Sequence, residues 1–381
     1  MIAAKNKQIS NYTKTDKVEC ALDMLRVDGT ALYHAAYPGY QSNFTRDSIL
    51  YGLLAGDEKA LLTQVAYSSR HQGKKFDALT GEEPGKIHHE FPSGQWRGRP
   101  TVYNACDTTA MYLIAIATLV DKGHHDILGT YKRSIQRAVR YIRSHVEDNL
   151  FFESPKLCGA SSFAVRVTYW KDSVLNGTYE EPTYPIVYSL VHFQNAYALR
   201  VIGGVMGKAS YVKLGDRMIS AGIDRLWNKD HFIVARDGDG AVIDPPSSDS
   251  LHSLLFIEPT DLPDGYSLSI ERYMRKLETK AGYRAGIPVG KSNDDYHTRY
   301  VWTHEQALLN SAASKHWLEE AAAISARIVD YLEELPELID PSNNYAPAGN
   351  APQLWVVGAA KYFNKGFMSL CGAHAKSYLL N

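Results

Sequence analysis

Carboxyl groups recur beside aromatic rings in this sequence. Asp172 stands two residues after Trp170, and Glu305 three after Trp302. An aromatic wall against a carboxyl disfavours its ionised form and raises its pKa, which is what a general acid needs. Flat amphipathic rings also stack on the faces of pyranose sugars. Cleavage of a glycosidic bond needs two carboxyls flanking one bond, one protonated and one ionised. A further carboxyl, Glu337, follows Pro336 at the end of a helical pattern, where a sharp loop can aim it into a pocket. Trp170, Trp302 and Trp355 are the rings that would wall such a site, with Lys171 and His304 beside the acids as further contacts.

Each of these residues has a plainer reading. Asp172 could cap a turn in "DSVLNG", and Glu337 could be a solvated end to the acidic run Glu333–Glu334. Glu305 is a rival base, or simply an acid favoured by the dipole in the first turn of a helix. Asp107 could bind sugar beside Tyr103 and Asn104, or cap the apolar helix that follows it. In "NFTRDS", Arg46 offers a rigid donor fork and Asp47 an acceptor, a pair suited to sugar hydroxyls at the base of a pocket. The alternative is an ion pair at a helix start.

The elements that would position these residues are helices. In "YKRSIQRAVRYIRSHVED", Ile135, Val139, Ile142 and Val146 form one stripe. Val212, Ile219, Ile223 and Leu226 form another, and Leu318, Ala321, Ile324, Ile328 and Leu332 a third. "TTAMYLIAIATLV" and "VHFQNAYALRVIGGV" are apolar nearly all round, which predicts helices buried on both sides. The one strand signal of note is a hairpin about Asp237 to Gly240. Long polar, aromatic-rich loops lie at roughly 70–105, 155–188, 236–268, 282–300 and 336–353; loops of that length in a compact domain are usually functional. No Pro/Gly/Ser linker divides the chain, so one all-α domain over 1–381 is expected.

Composition narrows the function further. The 381 residues carry a formal net charge of -1, which argues against nucleic acid or an anionic membrane as partner. "GGVMG" lacks the strand-to-helix context of a nucleotide fingerprint, and "HEQALLN" lacks the second His of a zinc helix. Neither His88, His89 and Glu90 nor His297 and His304 then forms a recognised metal motif, and "ARDGDGAVID" falls short of a calcium loop. No cofactor or metal is expected. Four cysteines without paired spacing read as reduced thiols, and the N-terminus lacks a signal-peptide core. A cytoplasmic protein is the expectation, with signal-less export open.

Six segments, "NFTRDS", "GKIHHE", "YNACDTT", "WKDS", "YHTRYVWTHEQALL" and "LPEL…APAGNAPQLW", resemble in order and rough spacing the motifs of six-hairpin glycosidases. The nearest likeness is to the glucosidase part of glycogen debranching enzymes and to amylo-α-1,6-glucosidases, with glucoamylases sharing Arg-Asp-Ser. The resemblance spans roughly residues 40 to 363. It implies an (α/α) six-hairpin toroid, inversion at the anomeric carbon, Asp172 as general acid, Glu337 as general base, and Arg46 with Asp47 on the terminal glucose. The expectation is an exo-acting hydrolase releasing glucose from α-1,4 or α-1,6 glucans. The alternatives are an α-glycosidase of a small glucoside, such as a disaccharide or glucosylglycerate, and a non-catalytic carbohydrate-binding protein on the same fold. The sequence departs from the family at Thr303, where Pro is usual, and at His192, near which many members carry Glu.

Overall fold

The structure, a computed structural model, describes residues 14–27, 29–172, 175, 181–287, 296–342 and 352–365. The "APAGNA" part of the last motif and Cys371 lie outside the described residues. Two kinds of helix alternate along the chain. The first kind is buried nearly all round: α2 Thr45–Ala55, α4 Thr108–Asp121, α6 Ser189–Val205, α8 Asp249–Ser253, α10 Thr303–Lys315 and α12 Leu354–Asn364. The second kind carries an apolar stripe opposite a polar face: α1 Lys14–Leu25, α3 Glu58–Arg70, α5 Lys132–Ser144, α7 Ala209–Leu226, α9 Tyr266–Met274 and α11 Glu319–Ala326.

The packing follows from that difference. A helix apolar all round must be covered on every side, whereas an amphipathic one needs cover on one face. The buried helices therefore form an inner ring, in which α2 packs on α4, α4 on α6, α6 on α8, α8 on α10, α10 on α12, and α12 back on α2. Each amphipathic helix lies outside one inner helix: α3 on α2, α5 on α4, α7 on α6, α9 on α8, α11 on α10, and α1 on α12. The result is an all-α toroid of six helical hairpins, the outer member of the last supplied by the chain's first described helix.

Short strand pairs sit where the chain enters the inner helices. Asn43–Phe44 pairs with Glu90–Phe91 just before α2, and Val301–Trp302 with Leu338–Ile339 just before α10. Val187–Tyr188 precedes α6 and pairs with Ala235–Arg236, which in turn pairs with Val242–Ile243. That last pairing is the hairpin expected about Asp237 to Gly240.

Two sequence expectations needed adjustment. The buried face of α7 centres on Gly215, Met218, Ile219, Gly222 and Leu226, while Val212 and Ile223 lie at its margins. Glycine sets this face because a Cβ at Gly215 would stand 2.6 Å from the Ala196 carbonyl oxygen, and one at Gly222 would strike the His192 ring at 2.6 Å. The stripe through 318–332 is buried as expected, but its helix tightens into a 3₁₀ segment over Arg327–Glu334.

His192 finds a structural role here. Its Nδ1 accepts from the Phe151 amide at 3.0 Å and its Nε2 donates to the Met218 carbonyl at 2.8 Å, tying α6 to α7. The close α6–α7 approach gives a test. Gly215→Ala should lower stability by about 1–3 kcal/mol, the usual range for overpacking. Gly129→Ala, which meets nothing within 4 Å, should leave it nearly unchanged. Chemical denaturation of both variants reads the difference.

Candidate active site

The N-terminal ends of the inner helices converge at one mouth of the toroid. α2 presents Arg46 and Asp47 in its first turn, and α12 presents Trp355. A network fixes the start of α2: the buried Asn43 amide nitrogen donates to Ser48 Oγ at 2.9 Å, to Gln64 Oε1 at 2.8 Å and to the Tyr33 carbonyl at 3.2 Å. Gln64 Nε2 donates back to Asn43 Oδ1 at 3.0 Å.

A cleft opens there. It is lined by Arg46, Asp47, Trp170, Asp172, Glu337, Trp302 and Trp355 among the expected residues. Tyr40, Phe44, His89, Tyr296, His297 and Gln353 complete it. The three tryptophans form one aromatic base. Trp302 meets Trp170 edge-on at 5.9 Å between ring centroids and Trp355 at 5.8 Å. His297 stacks on Trp302 at 5.0 Å.

Asp172 and Glu337 sit in different surroundings within this cleft. Asp172 has 35% of its side-chain surface open to the cleft, yet protein rings it on the other sides. Loss of solvation on burial raises its pKa to about 6, against the pull of Arg46 and with help from the Asp107 charge. His297 Nε2 stands 3.8 Å from its Oδ1. Burial, with the Lys171 and Arg46 charges, holds His297 neutral, its pKa pushed down to about 3. Glu337 is buried and its Oε1 accepts from the Tyr296 hydroxyl at 2.5 Å.

The loop that carries Glu337 is stapled from α10. The Thr303 amide donates to the Glu337 carbonyl at 3.1 Å, and its hydroxyl to the Pro336 carbonyl at 2.6 Å. A proline at 303 could make neither bond. Thr303 is therefore tied to how this loop is held.

Arg46 does not pair with its neighbour Asp47. Its Nε and one terminal nitrogen donate to the two Asp107 oxygens at 2.7 and 3.1 Å, a buried bidentate fork. Asp107 precedes α4 without a side-chain capping bond. It lines an apolar cavity on the toroid axis beneath the cleft, so it reaches the site only through Arg46. Asp47 stays in the cleft. Burial raises its pKa to about 7, Arg46 opposing and the Asp172 and Glu337 charges adding.

Three more expected contacts lie outside the cleft. His304 lines the axial cavity and stacks under Trp355 at 3.9 Å, supporting that ring from behind. Lys171 points into the protein, its Nζ bound to Ser247 Oγ, Ser248 Oγ, the Ala285 carbonyl and Asp249 Oδ1. Glu305 is fully buried and accepts from the Ser248 hydroxyl. For His304 and Glu305 the reason is helical geometry: successive residues of a helix point in different directions, and in this first turn of α10 these two turn away from the cleft.

Asp249, His252 and Glu305 are the one group among the described residues whose ligand atoms lie close enough to hold a metal ion. Lys171 already places an ammonium 2.9 Å from Asp249, so the cluster contains a cation of its own. The "GKIHHE" histidines divide differently. His88 is buried among Tyr67, His71 and Phe91, while His89 packs on Phe44 at the cleft wall.

Tyr40, Phe44 and Gln353 escaped sequence reasoning as site residues, as did Tyr296. Tyr296 lay inside a quoted motif, but nothing in local spacing aims its hydroxyl at a carboxylate 41 residues away.

No protein-family model matches the sequence, and no curated protein matches it. Solved structures do. A GH63 mannosylglycerate hydrolase from Thermus thermophilus in complex with glucose is similar at TM-score 0.69 and 12% identity, over 92% of this chain and 100% of that one. A glycosidase variant in complex with glucose is similar at TM-score 0.62 and 13% identity, over 94% and 96% of the two chains. A GH78 family rhamnosidase from a Bacillus species is similar at TM-score 0.57 and 12% identity, over 86% of this chain and 32% of that one. The chain thus has the (α/α) six-hairpin toroid fold of these glycosidases.

Glu305 yields a prediction with a definite sign. Burial raises its pKa to about 7, outweighing the Lys171 charge and the Ser248 hydrogen bond that oppose it. The folded state therefore holds that proton more tightly than the unfolded one. This contribution to stability is complete below the unfolded carboxyl's pKa and is lost as pH rises through 7. Glu305→Gln carries no such loss. Its Tm relative to wild type should rise between pH 5 and pH 8, by differential scanning calorimetry.

Proposed function

We propose that this protein is a glycoside hydrolase that cleaves a small α-glycoside with inversion, Asp172 acting as general acid and Glu337 as general base. Arg46 and Asp47 hold hydroxyls of the sugar at the closed end. The observation that carries this reading is the meeting of Asp172 and Glu337 in one aromatic-lined cleft, in different surroundings. Asp172 is shifted toward the protonated form a leaving oxygen needs. Glu337 accepts a hydrogen bond that suits a base. That difference supports Asp172 as the acid and Glu337 as the base. A binding protein would have no use for it.

The steps follow from these placements. Asp172 gives its proton to the glycosidic oxygen as that bond lengthens. Glu337 takes a proton from water on the opposite face of the ring, and the water oxygen bonds to the anomeric carbon. The Trp170, Trp302 and Trp355 base excludes bulk water and leaves the developing cationic ring between carboxylates. Tyr296 fixes the rotamer of Glu337.

A small substrate is favoured over the long glucans that motif resemblance alone would imply. The similar mannosylglycerate hydrolase is matched over its entire length, so this fold needs no further domain to act on a two-unit glycoside. Incubation with glucosylglycerate, mannosylglycerate, maltose, isomaltose, trehalose and glycogen, followed by NMR of the sugar released, tests the reading. A small glycoside should be cleaved fastest and the β-anomer should appear first. Release of the α-anomer first, or glycogen as preferred substrate, would refute it.

Asp172→Asn and Glu337→Gln should each lower turnover by roughly 10²–10⁴ with folding retained, the usual worth of acid–base catalysis. Glu305→Gln should keep near-normal turnover, because that carboxyl lies outside the cleft. The pH profile follows from the Asp172 pKa of about 6. Above that value the acid loses its proton, so kcat/KM on a glycoside should fall about tenfold per pH unit. A profile flat to pH 8 would count against Asp172 as the acid.

A further inference from the structure

The segment Tyr169–Trp170–Lys171–Asp172 sends alternate side chains to opposite sides. Trp170 and Asp172 line the cleft. Tyr169 and Lys171 turn into the protein and meet on one carboxylate, Asp249, the first residue of α8. The Tyr169 hydroxyl donates to Asp249 Oδ2 at 2.8 Å, and Lys171 Nζ stands 2.9 Å from Asp249 Oδ1. Tyr169 is fully buried, Asp249 is 2% exposed and Lys171 is 3% exposed. The same ammonium donates to Ser247 Oγ at 2.8 Å, Ser248 Oγ at 3.0 Å and the Ala285 carbonyl at 2.7 Å.

Burying an ammonium and a carboxylate is costly unless each is paired and its hydrogen bonds are met. Here the ammonium donates to Ser247, Ser248 and the Ala285 carbonyl and Asp249 Oδ2 accepts from Tyr169, while Oδ1 is held by the ammonium's charge at 2.9 Å, so moving either charge would strand the other. The two side chains that turn inward are separated by one residue, Trp170, that turns outward. Asp249 therefore grips the chain on either side of Trp170, and Asp172 follows immediately on the gripped residue.

We infer that Asp249 is a positioning residue for the general acid: by clasping Tyr169 and Lys171 it fixes the backbone from which Asp172 and Trp170 reach the glycosidic oxygen. The inference rests on the proposed glycosidase reading. It also accounts for why a lysine beside the acid faces away from the substrate. The lysine is a tether, and its charge is spent on Asp249.

A substrate whose leaving group needs no proton separates positioning of the acid from general damage. Fluoride departs from an α-glycosyl fluoride without protonation, whereas the alkoxide of a glycoside does not. The experiment uses the full chain, the glycoside identified by the NMR screen, and the α-fluoride of the same sugar. Asp172→Asn provides the signature of lost acid function: glycoside cleavage falls while fluoride cleavage persists. Asp249→Asn should show the same selectivity, with kcat on the glycoside down about 10–100-fold, the scale of a 1 Å misplacement. Fluoride turnover should stay within about 3-fold.

Tyr169→Phe removes one hydroxyl and leaves the Lys171–Asp249 pair intact. It guards against misfolding of the first variant and should shift the same ratio in the same direction by a smaller factor. If folded Asp249→Asn or Tyr169→Phe leaves the ratio of glycoside to fluoride turnover at the wild-type value, the positioning role is overturned and the glycosidase reading stands. If wild-type protein cleaves neither substrate, that reading falls and this inference with it.

Discussion

The site depends on closure of the inner ring. Each cleft-lining side chain hangs from the entrance to an inner helix or from a loop leaving one, so the group converges only if the last inner helix reaches the first. That contact is α12 against α2. It brings the first and last inner helices together, and Gly358 permits it: a Cβ there would stand 3.0 Å from the Tyr51 Cα. The next element also serves this closure, because α1 supplies the outer cover for α12. A ring left open would keep most of its helices but would part Trp355 from Trp302 and so divide the aromatic base.

Around that closed frame, charge is buried in pairs that join different hairpins. Arg46 and Asp107 link α2 to α4 with a bidentate fork, and Lys171 and Asp249 link the acid loop to α8. Such pairs are weak as net stabilisers but costly to break singly, because the remaining charge would be stranded without water. Their effect is geometric. They allow few alternative arrangements at the places where a carboxyl must be held to a fraction of an ångström. The polar interior of the mouth thus extends to residues that do not line the cleft.

How much of this was legible in the sequence depended on the range of the interaction that decided it. The helices were legible because their apolar periodicity is local, and the two kinds of helix differ in how much of their circumference is apolar. The α7 face was misplaced because glycine carries no hydrophobic signal, yet Gly215 and Gly222 set where the backbones approach. The candidate carboxyls were legible as residue types beside aromatic rings. Their partners were not: Tyr296 and Glu337, or Tyr169 and Asp249, meet only after whole hairpins have packed.

The sequence by itself determined an all-α chain, the order of its polar-aromatic loops and the short set of side chains able to do acid–base chemistry on a sugar. The tertiary structure alone decided which of them share a cleft. Asp47, Asp107 and Glu305 are all acids at the starts of inner helices, and all were candidates for the site. Asp47 faces the mouth, Asp107 is taken by Arg46 above the axial cavity, and Glu305 is sealed beside Ser248. The physical reason is that sequence spacing sets position along a helix, whereas the direction a side chain faces in space is set by how that helix is rotated against its neighbours in the ring.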